Sequence, residues 1–189
     1  MNVALRRMFV DYKEIILIIV LGLIPLTWFK AQVLIGSDSL VPFHPQIEFL
    51  RASQMWDNRL EMGRIWIGNS ALLMPFLFSW TLLGTLGLSI PILQRIWLVG
   101  VFTLSAASMY YLISAMGVRS KVARMSSVVL YTFNLYVAIV SPFGDVNLLP
   151  YATAPLFLGL FIKGLETHSI NYSVWVGLVS LLFASGSVN

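Results

Sequence analysis

The sequence predicts an all-α protein, a polytopic bundle of transmembrane helices with an amphipathic juxtamembrane helix in its first external loop. Three observations lead there. Hydrophobic residues make up 58% of the 189-residue chain and charged residues only 11%, and the mean hydropathy is +0.84, outside the range of ordinary soluble domains. Apolar runs near the roughly 20 residues needed to cross the hydrocarbon recur along the chain. Cationic side chains stand in short groups between those runs, as they do on the cytoplasmic side of membrane proteins.

The first run, 15–33, follows Arg6, Arg7 and Lys13, and these set the N-terminus in the cytoplasm. Its length, with no small-residue cleavage pattern behind it, marks a retained span rather than a removed signal peptide. Gly22 and Pro25 fall inside, and Pro25 predicts a kink. An external loop, 34–91, comes next. Gly36, Ser37, Pro42 and Pro45 keep its beginning out of helix. Over 46–60 the apolar Ile47, Leu50 and Leu60 alternate with Glu48, Arg51, Asp57 and Arg59. That is the pattern of a helix lying along the outer interface, with Trp56 at headgroup depth.

The stretch 69–90 is apolar but interrupted by Pro75, Gly84 and Gly87. The charges farther along the chain favour a re-entrant or two-piece segment with no net crossing over a full span, which stays the alternative. A strong span at 92–116 runs into Gly117, Val118, Arg119, Ser120, Lys121, Val122, Ala123 and Arg124, a loop of cations without an acid. Such a loop is cytoplasmic, so the span before it must enter from outside. Three more spans follow, at 125–140, 148–165 and 174–189. Trp56, Trp66 and Trp80, like Tyr110, Tyr111, Tyr131 and Tyr136, are read as interfacial anchors, and the inner cations as unopposed. The chain stops at Gly186, Ser187, Val188 and Asn189 directly behind an apolar run, which reads as the front portion of a longer protein.

Composition also excludes chemistries. Without cysteine there is no disulfide and no thiolate nucleophile or ligand, and His44 and His168 are too far apart in sequence to make a local metal pair. Net charge is +4 and the pI about 9.6, but the basic residues sit at helix ends, where membrane lipids and not nucleic acid are the partner. Polar chemistry gathers on the outer face in three places: around Asp38, around Asp145 and Asn147, and at Gly186 to Asn189. An acid directly behind a span is costly unless it has a partner or a task; Asp38 could equally cap a turn. Arg51, Arg59 and Arg64 have the donor forks to clamp a phosphate, or they pair with the acids between them.

These residues resemble a known family. Gly36-Ser37-Asp38 after the first span, Phe49-Leu50-Arg51-Ala52 to Met55-Trp56-Asp57 as a juxtamembrane helix, Leu93-Gln94-Arg95-Ile96-Trp97 opening the next span, Val129 to Asn134 behind the basic loop, and Gly186-Ser187-Val188-Asn189 after a later span are similar to the N-terminal part of the GT-C superfamily. The members most similar are of the alpha-(1,3)-arabinofuranosyltransferase type, enzymes that use a polyprenyl-phosphate sugar donor. The resemblance implies an inverting membrane glycosyltransferase of the plasma membrane with an external active site, acting in cell-wall or polysaccharide biosynthesis on a glycan or lipid-linked acceptor. It implies Asp38 as general base and Asp145 as its assistant. Substrate contacts would come from His44, Arg51, Trp56, Arg64 and Asn189. Some members use a divalent metal and others do not; Asp38 and Asp145 are the candidate ligands for Mg or Mn. The superfamily has about twice as many spans as the five counted here, so this portion alone is expected to be inactive. Two other classes fit the composition, a lipid or polysaccharide transporter or flippase component and a non-catalytic assembly subunit.

Overall fold

The structure, a computed structural model, describes residues 12–30, 33–34, 41–53, 56–57, 64–65, 67–140 and 147–183. Among the described residues, the regular structure is helical apart from one two-residue antiparallel ladder. Helix α1 (Tyr12–Leu23) passes into a 3-10 turn, Ile24–Trp28. Pro25 has no N–H to continue the α ladder, and the Thr27 hydroxyl donates 2.7 Å to the Ile24 carbonyl. The first helix therefore ends ten residues short of the expected 33, broken where a kink was anticipated.

Helix α2 (Pro45–Ala52) begins with proline at its first position, where the missing N–H costs nothing. His44 precedes it; its carbonyl accepts the Glu48 N–H at 3.0 Å, and its own N–H donates 3.4 Å to Glu48 Oε1. Ser53 closes the helix, its N–H on the Phe49 carbonyl at 2.9 Å and its hydroxyl on the Leu50 carbonyl at 2.7 Å. The helix expected over 46–60 is thus corrected. Beyond Ala52, β1 (Trp56–Asp57) pairs antiparallel with β2 (Arg64–Ile65), Trp56 opposite Ile65 and Asp57 opposite Arg64. The serine hydroxyl closes a terminal carbonyl that a further helical turn would have used.

Helix α3 (Ile67–Thr85) runs unbroken through Pro75, so the two-piece reading of 69–90 gives way to one helix and a turn. Gly87, at φ +80°, makes that turn, and α4 (Ile90–Ala115) starts with Ser89 before it and Pro91 in its first turn. At its other end Gly117, at φ +78°, lets Val118 N–H reach the Ile113 carbonyl at 3.3 Å, the usual glycine closure of a helix. Helix α5 (Lys121–Thr132) is capped by Ser120, whose hydroxyl accepts from Ala123 N–H at 3.3 Å. Lys121 and Arg124 therefore lie inside a helix rather than in the basic loop.

The expected span 125–140 is interrupted at Phe133 and Asn134. Asn134 Oδ1 accepts from Val137 N–H at 3.0 Å and restarts the chain as α6 (Leu135–Val140). Helix α7 (Leu148–Thr167) contains Pro155, which leaves the Tyr151 carbonyl without its helical donor. The Tyr131 hydroxyl supplies one at 2.7 Å. The Tyr151 hydroxyl in turn reaches the Tyr131 carbonyl, and the two rings stack 4.4 Å apart. His168, at φ +50°, ends α7 before α8 (Ile170–Phe183).

Helix α4 is the hub, with α1, α5 and α7 around it and α8 packed on α7. Small residues set the approach distances. A Cβ on Gly22 would stand 1.9 Å from Thr103 Oγ1, and one on Gly159 would stand 2.8 Å from Tyr111 Cδ1, so α1 and α7 meet α4 where side chains are absent. Three buried clusters follow one another along α4: Leu93 with Val41, Phe76, Leu77 and Trp80; Leu98, Val101 and Phe102 with Val137, Leu148 and Ala152; and Ala106 and Tyr110 with Ile18, Leu21 and Val128. Among the described residues, two helices, α4 and α7, are long and apolar enough to cross a membrane.

Candidate functional site

The two ends of α4 carry different chemistry. At its start, Gln94 is fully buried and forms a reciprocal pair with one backbone residue. Its Nε2 donates to the Leu34 carbonyl and its Oε1 accepts the Leu34 N–H, both at 2.8 Å. Its neighbour Leu93 shares a buried cluster with Val41, Phe76, Leu77 and Trp80, and Arg95 stands over the Phe29 ring, 5.2 Å from its centre. Residue 34 is therefore held by α4 directly, and residue 41 belongs to the buried cluster that Leu93 of the same helix joins.

Beside this clamp lies a cleft of about 280 Å³ between α3, α4 and the start of α7, lined by Trp80, Leu83, Leu93, Trp97, Val101 and Leu149, among others. Its wall is almost wholly apolar. Behind it, the indole N–H groups of Trp80 and Trp97 are buried without a hydrogen-bond partner among the described residues. Trp80 is only 2% exposed, which corrects its reading as an interfacial anchor. Phe76 sits edge-on to Trp97 at 4.8 Å, fixing the ring. Gly100 opens one side, where an added Cβ would meet nothing within 4 Å. Such a cleft suits a hydrocarbon chain better than a charged group, since a charge there would lack counter-charges.

Of the residues expected to act, Asp38, Asp145 and Asn189 lie outside the described residues, and with them the expected metal ligands. His44 is exposed at the start of α2 and Arg51 is exposed in its last turn. Helix α2 rests on α3, where Thr81 Oγ1 donates 2.9 Å to the Pro45 carbonyl and Phe49 faces Phe78 at 6.0 Å. That contact brings His44 and Arg51 onto the same layer as the helix forming one wall of the cleft. Trp56 and Arg64 fall on opposite strands of the ladder, one register step apart. Among the described residues no group of three or more His, Cys, Asp or Glu side chains gathers to hold a metal.

The far end of α4 holds a buried ionic cluster that sequence reasoning missed. Glu14, 5% exposed, accepts the Tyr110 hydroxyl at 2.5 Å and an Arg124 guanidinium nitrogen at 3.3 Å. A second Arg124 nitrogen donates 3.1 Å to the Tyr110 oxygen. The inner cations are thus not all unopposed, and Tyr110 is a core residue rather than an interface one. Lys163 is also paired, with Glu166 at 2.6 Å. The available signal was Glu14 itself, an acid at the edge of an apolar run that needs a partner. Gln94 and Tyr110 are separated by about 24 Å along the axis of α4, so the clamp and the ionic cluster mark opposite faces of the bundle. Compared with protein-family models, curated proteins and solved structures, the chain matches none.

Proposed function

We propose that this chain is the front part of an inverting membrane glycosyltransferase that takes its sugar from a polyprenyl-phosphate donor, with Asp38 as general base. The observation that carries the reading is the pairing of residue 34 with Gln94 of α4, with residue 41 in the buried cluster around Leu93, beside an apolar cleft. Chain length alone keeps Asp38 within about 14 Å of Leu34 and about 11 Å of Val41. Under this proposal the loop between those residues brings the Asp38 carboxylate to the groove that takes the donor's hydrocarbon chain.

A polytopic membrane bundle with its N-terminus in the cytoplasm belongs to the same proposal. Apolar side chains face outward on α1, among them Ile16, Ile19 and Val20, and on α8, among them Val174, Trp175 and Leu181. Contiguous apolar surface of this kind needs lipid or protein cover. The Glu14 cluster then lies at the inner face and the Gln94 clamp at the outer one.

In the reaction, the Asp38 carboxylate takes the proton of an acceptor hydroxyl as that oxygen bonds to the anomeric carbon. The bond from that carbon to the phosphate oxygen breaks, and the phosphate leaves with the electron pair and needs no proton. Arg51 and Arg64 are the candidates to meet its charge, helped by Mg or Mn if Asp38 and Asp145 hold one. His44, Trp56 and Asn189 are assigned to the sugar and the acceptor.

The experiment is Asp38→Asn in the full-length protein, assayed in membranes with labelled polyprenyl-phosphate sugars. Transfer should fall at least a thousandfold with unchanged membrane insertion; wild-type turnover removes Asp38 from the mechanism. A transporter is favoured by the helix breaks at Pro25 and Asn134, since broken spans form transport sites. Yet the Asn134 amide is already engaged, with the Tyr131 carbonyl at 3.1 Å and the Tyr151 hydroxyl at 2.5 Å, leaving the enzyme reading the stronger.

A further inference from the structure

We infer that Tyr131 and Tyr151 form a latch that closes two broken helices onto each other, and that α6 swings about Phe133 and Asn134 when the latch opens. The inference stands apart from the proposed activity.

Both breaks free a backbone carbonyl that then needs a donor. In an unbroken α5 the Tyr131 carbonyl would take the N–H of residue 135, but the helix stops at Thr132. In α7 the Tyr151 carbonyl is four residues before Pro155, which has no N–H to give. Each tyrosine supplies what the other's helix lacks. Tyr131 donates its hydroxyl to the Tyr151 carbonyl at 2.7 Å, and Tyr151 donates its hydroxyl to the Tyr131 carbonyl at 2.5 Å. Their rings stack 4.4 Å apart with 5° between the planes. Helix α5 packs chiefly on α4, and α7 on α4 and α8, so the pair bridges two helices that share α4 as a main packing partner.

Asn134 ties α6 into the same network. Its amide nitrogen donates to the Tyr131 carbonyl at 3.1 Å and to the Tyr151 hydroxyl oxygen at 2.5 Å, while Oδ1 accepts the Val137 N–H at 3.0 Å. Both N–H groups and the oxygen are used, so the amide has one orientation. Tyr136, the second residue of α6, leans on the Tyr151 ring at 5.3 Å. Along α6, Leu135 is 77% and Tyr136 46% exposed, whereas Val137 is buried in the cluster that includes Val101, a residue of the cleft wall. A six-residue helix with one buried side chain among those described belongs to the part of a fold that opens first. The network at its hinge therefore decides whether α6 stays shut.

The test is amide hydrogen exchange of the full-length protein in nanodiscs. Tyr131→Phe keeps the ring and removes a hydroxyl that donates to α7, not to α6. Exchange over 135–140 should nonetheless quicken at least tenfold, because the Tyr151 ring is no longer held against Asn134, while α4 stays protected. Tyr151→Phe, which removes the other half of the latch, should give the same pattern. Pro155→Ala supplies the missing N–H, so in that background adding Tyr131→Phe should change exchange over 135–140 less than threefold. Unchanged exchange over 135–140 in a folded Tyr131→Phe protein, or in Tyr151→Phe where the first variant does not fold, overturns the inference. Quickening that extends through α4 means general loosening and overturns it too. So does an undiminished effect of Tyr131→Phe beside Pro155→Ala, since the hydroxyl would then serve something other than the carbonyl that the proline strands.

Discussion

Consider the pair Glu14 and Arg124, cut one partner at a time. Their closest atoms are 3.3 Å apart, with side-chain exposures of 7% and 18%. At an effective dielectric of about 20 the attraction at that distance is about 5 kcal/mol. Arg124→Met leaves the carboxylate buried on a short stem with only the Tyr110 hydroxyl, and should cost about 4–5 kcal/mol, in the range for a broken buried pair. Glu14→Leu should cost less, about 3 kcal/mol, because the long Arg124 side chain can turn toward the headgroups. The double variant loses both charges and strands only the Tyr110 hydroxyl, for about 1–3 kcal/mol. The singles therefore overshoot the double, and the coupling energy should be about 4–7 kcal/mol in magnitude. Reversible unfolding in mixed micelles, followed by tryptophan fluorescence for all four proteins, gives the cycle directly. A coupling below about 1 kcal/mol would refute the claim that these side chains act as one buried unit joining α1, α4 and α5.

Two further substitutions test the packing and the cleft. Gly22→Ala places a methyl group 1.9 Å from Thr103 Oγ1 and should destabilise the bundle by about 1–3 kcal/mol in the same assay; Thr103→Ala in that background should return part of the loss, since the nearest atom is then the 3.0 Å Cβ. Gly100→Leu enters open space and should leave stability within about 0.5 kcal/mol. It should nevertheless cut photocrosslinking of a diazirine-bearing prenyl phosphate at Trp97 several-fold, and unaltered crosslinking would mean that the cleft does not hold the chain.

What the sequence made legible was governed by composition and by local breakers. The helical class follows from apolar runs that need every backbone group satisfied within the segment, and Pro25 did disturb the first run. Length was less legible. Nothing in 53–60 rules out helix by periodicity; Ser53 ends α2 through hydrogen bonds to Phe49 and Leu50, and the ladder beyond depends on Arg64 and Ile65 meeting Trp56 and Asp57. Pro75 was read as a break because proline removes a hydrogen bond, whereas α3 carries it through. The split at Asn134 is legible only afterwards, since its side chain serves as helix cap on one side and as partner of Tyr151 on the other.

The buried polar residues are illegible locally for a related physical reason. Glu14 and Arg124 are 110 positions apart, and each looked like an ordinary helix-end charge in its own stretch. Gln94 looked like the polar entrance to a span, because nothing local says that its partner is the backbone of residue 34. Long-range pairing of buried polar groups leaves no periodic trace, only a polar residue where an apolar one would cost less. In this respect Gln94 and Glu14 are alike: each is a polar side chain that an apolar run tolerates because another segment satisfies it. They sit at opposite ends of the bundle and bind different partners, one a backbone and one a charge. A helix so fastened at both ends has its axial position and its rotation set together.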